Sequence, residues 1–295
     1  MALTLVEASK LSNNVLQKGV IETMVRTTAV LEVLPFMEIH GNAYVYNQVA
    51  ALPTVAFRDV NEGYVESGST FVQETANLVM LGGDVDVDKF IIATRGDINN
   101  QRAIQTELKA KAIAQTYTKT FFNGTGTNKE FKGLKNLVKS SQTIDCKGAL
   151  TLAKLNELVD KVPFGADVLF MSRTVKRHVM DLLQASNHYI EMGQDAFGRP
   201  VTHYAGIPIR FVEDDVIESG VIYAVKLGIM SDVCGLQNGS IDVRDLGELE
   251  TKPCYRTRIE WYCGMAMFNP LSVAKLEGIT GVAAAASVAS ARAKK

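Results

Sequence analysis

Residues 41–122 constrain the fold most. A strand-rich arm with no core of its own runs directly into a stretch, Asp97 to Phe122, that neither Gly nor Pro interrupts. Such an arm needs something to fold against, because an isolated hairpin is marginally stable in water. Between Asp59 and Asp88 the arm carries Asp59, Glu62, Glu66, Glu74, Asp84, Asp86 and Asp88 with no Lys or Arg between its ends. The following segment reverses the sign. Residues 95–139 hold Arg102, Lys109, Lys119, Lys132 and five further cations against Asp97, Glu107 and Glu130. Two readings stand: copies of the chain that clasp one another through complementary charge, or two unrelated solvated faces.

At 295 residues and 47% hydrophobic, the chain has material for one large or two ordinary domains. A net charge of −1 argues against a protein that holds nucleic acid mainly through a globally basic surface. The four cysteines, Cys146, Cys234, Cys254 and Cys263, are too widely spaced for a disulfide framework or a zinc knuckle, and read as reduced, mostly buried thiols. No secretion signal is visible at the N-terminus. The longest apolar run, Gly278 to Ala286, is too short to span a membrane. Synthesis and use in a cytoplasm is the expectation.

Hydrophobic spacing predicts a helix over residues 4–28, with Thr4 and Glu7 as a capping box, ending before Pro35. Strands are expected at Tyr44–Val49, Thr54–Val60, Phe71–Leu81 and Val85–Ala93, separated by Gly and Pro. In Asp84-Val-Asp86-Val-Asp88 the alternation places three carboxylates on one face, which calls for cations opposite, from this chain or another. The helix over 97–122 presents two apolar stripes, Ala103, Ala110, Ala114, Tyr117 and Phe121 on one and Ile104, Leu108, Ala112 and Phe122 on the other, with a basic strip left exposed. Further helices are predicted at Thr151–Lys161 and Ser172–Ala185, with Thr151 and Ser172 as N-caps. Short strands are predicted at Asp167–Met171, Pro208–Val212, Val221–Val225 and Ile241–Arg244. Tyr255–Trp261 alternates strictly, Arg256, Arg258 and Glu260 facing one way. The class is α+β. The tail from Val282 to Lys295 is Ala/Ser-rich and weakly structured in expectation.

Catalytic and cofactor signatures are missing from the sequence. Gly124-Thr-Gly126-Thr-Asn-Lys129 lacks the Gly-Lys-Ser/Thr ending of a phosphate loop and follows a helix, so it reads as a turn. His40, His178, His188 and His203 include no metal-binding pair, and no nucleophile motif surrounds any cysteine. Neither a catalytic residue nor a cofactor is expected.

Several short motifs stand in a telling order. They are Leu34-Pro-Phe36 ahead of the arm; Asn61-Glu-Gly63 and Glu66-Ser-Gly68 within it; and Phe122-Asn-Gly124-Thr-Gly126 closing the helix. Tyr204-Ala-Gly206-Ile-Pro208, Arg258-Ile-Glu260-Trp261, Phe268-Asn-Pro270 and Val273-Ala-Lys275 follow. Together they resemble the major capsid proteins of tailed bacteriophages, the Hong Kong 97 fold family. The resemblance implies an N-terminal arm (1–40), an extended β E-loop (41–92), a P-domain (93–140 and 237–270) with its spine helix at 97–122, an A-domain (141–236 and 271–281) and a C-terminal tail (282–295).

It further implies pentamers and hexamers that tile an icosahedral head in the virion, assembled in the host bacterial cytoplasm around double-stranded DNA contacted non-specifically, with no membrane partner. Each E-loop would lie over a neighbouring subunit, so Asp59, Glu62, Glu66 and Glu74 would meet Arg102, Lys109, Lys119 or Lys132 of the next copy. Scaffolding, portal and decoration proteins would be separate chains, since only residues 1–40 precede the arm. Some members weld subunits through an E-loop lysine; none occurs here between Lys18 and Lys89, so such cross-linking is not expected. An encapsulin nanocompartment shell uses the same fold and remains an alternative, as does, more remotely, a cytoplasmic α+β enzyme.

Overall fold

The computed structural model describes residues 15–94, 98–186, 191–194 and 198–280. Thr4 and Glu7, and the tail after Val282, lie outside them. Helix α1 (Val15–Thr27) buries Val20, Ile21, Met24 and Val25, and a short α2 (Ala29–Val33) follows. Leu34 then turns extended, at φ −70° and ψ 120°, as Pro35 demands of its predecessor. Strand β1 (Phe36–Glu38) leads into the arm, a hairpin of β2 (Ala43–Ala51) and β3 (Thr70–Asn77).

The structure corrects three strand expectations here. Residues 54–60 form no strand; they belong to an exposed excursion, residues 52–69, between β2 and β3. The run Phe71–Leu81 is broken at Leu78, whose N–H donates to the Asn42 carbonyl at 2.8 Å, and β4 (Val79–Asp88) then joins a different sheet. The run Val85–Ala93 is strand only to Asp88. The Asp88 carboxylate accepts the Phe90 N–H at 2.7 Å, which caps helix α3 (Lys89–Thr94) in place of further strand.

The long helix α4 (Ile98–Asn123) is followed by α5 (Leu134–Leu137), β5 (Thr143–Gly148), α6 (Leu152–Asp160), β6 (Val168–Ser172) and α7 (Arg173–Ala185). Thr151 and Ser172 cap α6 and α7 as the sequence predicts, each hydroxyl accepting a backbone N–H three residues on. Eight strands follow among the described residues: β7 (Glu191–Gln194), β8 (Pro200–Tyr204), β9 (Ile207–Val212), β10 (Ile222–Val225), β11 (Val233–Gln237), β12 (Asp242–Glu248), β13 (Cys254–Met267) and β14 (Val273–Ile279).

Two sheets organise these elements. In the first, β13 pairs with β4 along one edge and with β12 and β11 along the other, and β1 runs parallel beyond β11. In the second the order is β5-β14-β10-β6-β9-β8-β7. The β8–β9 hairpin turns through Ala205 (φ 50°) and Gly206 (φ 77°), the pair of left-handed residues a two-residue turn requires. Helix α4 lies on the first sheet and joins it to the second. Tyr117 stacks 4.8 Å from Trp261, Trp261 sits 5.6 Å from Phe36, and Phe122 meets Phe170 and Tyr223 of the second sheet at 5.6 Å. Helices α6 and α7 cover the opposite face of the second sheet, through Leu155, Leu158, Val175, Val179 and Leu183.

Of the two stripes on α4, Ala110, Ala114, Tyr117 and Phe121 of the first are buried as expected, whereas Ala103, nearer the start of the helix, is exposed. Ile104, Leu108 and Ala112 are exposed, so only the C-terminal end of the second stripe, at Phe122, is covered within the chain.

Candidate assembly surface

The alternating face of β13 explains the local chemistry of the arm's base. Thr257, Ile259 and Trp261 point into the core, so period-2 geometry sends Arg256 and Arg258 outward. Antiparallel register then sets Arg258 opposite Asp84 and Arg256 opposite Asp86. Both pairs are two-pronged: Arg258 reaches Asp84 at 2.7 and 3.0 Å, and Arg256 reaches Asp86 at 2.6 Å with each nitrogen. These guanidinium hydrogen bonds hold both carboxyls below the ordinary carboxylate range and push both arginines higher still. The cations called for opposite Asp84, Asp86 and Asp88 therefore come from the same chain for the first two, while Asp88 caps a helix.

Asp59, Glu62 and Glu66 sit at the exposed outer part of the arm. Glu62 accepts the Asp59 N–H at 3.2 Å, and Arg58 donates back to the Glu62 carbonyl at 3.1 Å, closing a local turn at Asn61 (φ 71°). Glu74 lies farther back on β3, half-buried, in a small crevice it shares with Tyr46, Gly126 and Lys132 of its own chain. Arg102 is engaged at home: it meets Asp245 at 2.7 Å, donates to Thr257 Oγ1 at 3.0 Å and lies over the Tyr255 ring. Its hydrogen bond depresses the Asp245 carboxyl. Lys109 folds across Gly83 of β4, where a Cβ would collide with its methylenes. Lys119 is exposed, and Lys132 is exposed with its stem over Gly126. The structure thus brings Glu74 and Lys132 to one crevice and leaves Asp59, Glu62, Glu66 and Lys119 facing solvent.

Charge was the sequence signal for this surface, but the apolar residues beside it matter as much. Leu52, Val55, Phe57, Val60, Tyr64 and Val65 are all exposed, Val55 95% and Phe57 105%; Arg58 lies over the Tyr64 ring at 5.1 Å, and none of the six is buried within the chain. Exposed apolar clusters of this kind mark interaction surfaces. Apolar residues crowded between Pro53 and Gly68 were the available signal, and the strand reading of Thr54–Val60 concealed it. The closing motif of α4 is built as a rigid corner. Gly133 N–H donates to the Gly124 carbonyl, Asn136 Nδ2 to the same oxygen at 2.7 Å, and Asn123 Nδ2 to the Val216 carbonyl at 2.5 Å. The segment Gly124–Lys129 is the turn its sequence predicts, with left-handed Gly126, Asn128 and Lys129.

The family of the major capsid protein GP7 matches residues 13–145. No curated protein sequence matches the chain. Among solved structures, the SrpI encapsulin of Synechococcus elongatus PCC 7942 is similar with a TM-score of 0.68 and 20% identity, covering 95% of this chain and 96% of that one. A chain of Microbacterium phage Oxtober96 gives 0.63 and 18%, covering 85% and 90%. One of Mycobacterium phage Bobi gives 0.63 and 14% over the same shares. The chain has the Hong Kong 97 fold, and through residues 13–145 it matches the family of the major capsid protein GP7.

Proposed function

We propose that this chain is the major capsid protein of a tailed bacteriophage, self-assembling as pentamers and hexamers into an icosahedral head that encloses the genome. The observation that carries the reading is an arm whose outer apolar residues are left unburied by their own chain, set on the Hong Kong 97 fold with a major capsid protein family match over the arm and the spine helix. Its role is structural and not enzymatic. The hairpin and its excursion act as the E-loop. Helix α4 and the sheet around β13 act as the P-domain, over residues 93–140 and 237–270. The seven-stranded sheet acts as the A-domain, over 141–236 and 271–281. Residues 1–40 form the N-terminal arm and 282–295 the tail.

In the shell, Asp59, Glu62, Glu66 and Glu74 of one copy face cations of the next, chosen from Arg102, Lys109, Lys119 and Lys132. Lys119 and Lys132 have the charge most open to a neighbour. Apolar residues of the excursion supply the buried centre of that contact, and the charges its rim and register. Assembly takes place in the host cytoplasm, with separate scaffolding, portal and decoration chains.

Electron microscopy of the purified protein, with nucleic acid and co-purifying protein assayed on the same fraction, tests the reading. Closed shells or capsomer rings are the expected result; a uniform monomer that never assembles would overturn it. Glu62→Lys with Glu66→Lys is expected to abolish shells while leaving the fold intact by circular dichroism, and unchanged shells would remove these acids from the interface. The encapsulin reading draws on the near-complete mutual coverage with the SrpI encapsulin. Shells that carry a cargo enzyme and no genome would establish it.

A further inference from the structure

Away from the arm, a second charged surface is left over. It lies where the α1–α2 corner, β9 and the N-terminal half of α7 meet, around the half-exposed Phe211 ring. Two adjoining clefts, of about 140 and 290 Å³, share Lys176 and Phe211 and gather Arg26, Arg173, Lys176, Arg177, Arg199 and Arg210. Glu32 and Asp181 are the carboxylates lining them. Of the carboxylates nearby, Glu32 receives Arg210 at 3.2 and 3.3 Å, Asp214 accepts the backbone N–H and hydroxyl of Thr174, and Glu22 pairs with Arg26, while Asp181 lines the second cleft beside Arg177. Arg173 and Lys176 both lie over the Phe211 ring, at 5.3 and 5.0 Å from its centre. Burial, then the positive charge of Arg173 and Arg210, lowers the Lys176 ammonium. Arg26 and Arg210 are ion-paired with Glu22 and Glu32, while Arg173, Lys176 and Arg177 stand within one turn of α7, where their like charges repel.

We propose that this surface binds the phosphate backbone of double-stranded nucleic acid, and is the part of the subunit that faces the enclosed genome. The inference rests on the shell reading above, which supplies the polyanion. Guanidinium groups present forked donors matched to phosphate oxygens. The aromatic ring holds Arg173 and Lys176 side by side so that little ordering is needed on contact. Nothing in the surface reads base edges, so binding is insensitive to sequence and steep in salt.

Full-length protein in its unassembled form, confirmed by electron microscopy so that the surface is open to added duplex, would be titrated against a fluorescent 20-base-pair duplex over a salt series. Arg173, Lys176 and Arg177 project from the solvent side of α7 and can be changed to Gln without disturbing its buried face. The triple variant R173Q/K176Q/R177Q is expected to bind on the order of 10- to 100-fold more weakly at low salt, with the salt slope reduced by about 3. Its shells should form normally. R173K/R177K, which keeps the charge, should recover most of the affinity, and Lys154→Gln, on α6 and outside both clefts, should leave it unchanged. Equal affinity and slope in wild type and triple variant would overturn the inference while leaving the shell reading standing. Failure of the wild type to form any shell would sink the shell reading on separate grounds. A synthetic peptide of residues 55–68 that binds at this surface and displaces the duplex would reassign it to contact between copies.

Discussion

Arg256 and Arg258 show how two side chains tie the base of the arm to the body. Each forks onto a carboxylate of β4, and each carboxyl is held below its ordinary range by that contact. Pairing lowers the folded pKa, so its contribution to stability is complete above the ordinary carboxylate value of about 3.9 and is lost as pH falls through the depressed folded values. Asp84→Asn with Asp86→Asn is expected to lower thermal stability at neutral pH and to flatten the acid limb below about pH 4. Melting curves from pH 2 to 7 check it, and an unchanged acid limb would remove the ladder from the acid response. Gly124 is a second control point. A Cβ there would strike the Phe131 and Thr120 carbonyl oxygens, both backbone and unable to yield. Gly124→Ala should cost about 1–3 kcal/mol in denaturant unfolding. The thiols differ in reactivity for a plain reason: burial pushes Cys234 up to about 12 and Cys263 higher, while Cys146 is half-buried. A maleimide should label Cys146 well before either buried thiol.

Helix α4 and the arm are complementary as elements. The helix buries one stripe against Trp261 and Phe36 and leaves Ile104 and Leu108 in solvent, while the arm leaves its outer apolar residues in solvent. Both are surfaces that a neighbouring copy would cover in the proposed shell. Replacing residues 53–68 with Asn-Gly, which shortens the excursion to a tight turn, should leave thermal stability nearly unchanged because no buried side chain is removed. Shell formation should be lost. A large drop in melting temperature would show instead that the excursion packs on its own chain. Both helix N-caps, the Pro35 break and the turn after Asn123 were legible in the sequence, because capping and turn chemistry are local. The boundary between β3 and β4 was not. Leu78 reads as strand on either side, and only the hydrogen bond to Asn42 and the pull of β13 divide the run.

As a whole, the molecule is two sheets joined by one helix, with a hairpin that projects from them. Since no Lys lies between residues 19 and 88, assembled particles should run on a denaturing gel as one band near 32.2 kDa, and a ladder of covalent oligomers would contradict this. The sequence by itself determined the class, the long helix, the strict alternation of Tyr255–Trp261 and the order of motifs that led to the fold, because periodicity and turn residues act over a few neighbours. Tertiary structure alone decided which charges were already spoken for. Asp84 and Asp86 look free along the chain, yet find partners 174 and 170 residues away once β4 and β13 are in register, and Arg102 finds Asp245 of β12, 143 residues away, once α4 lies on that sheet. Register between distant strands depends on the buried face of the sheet, and so on the whole core, which no local reading of the charges contains.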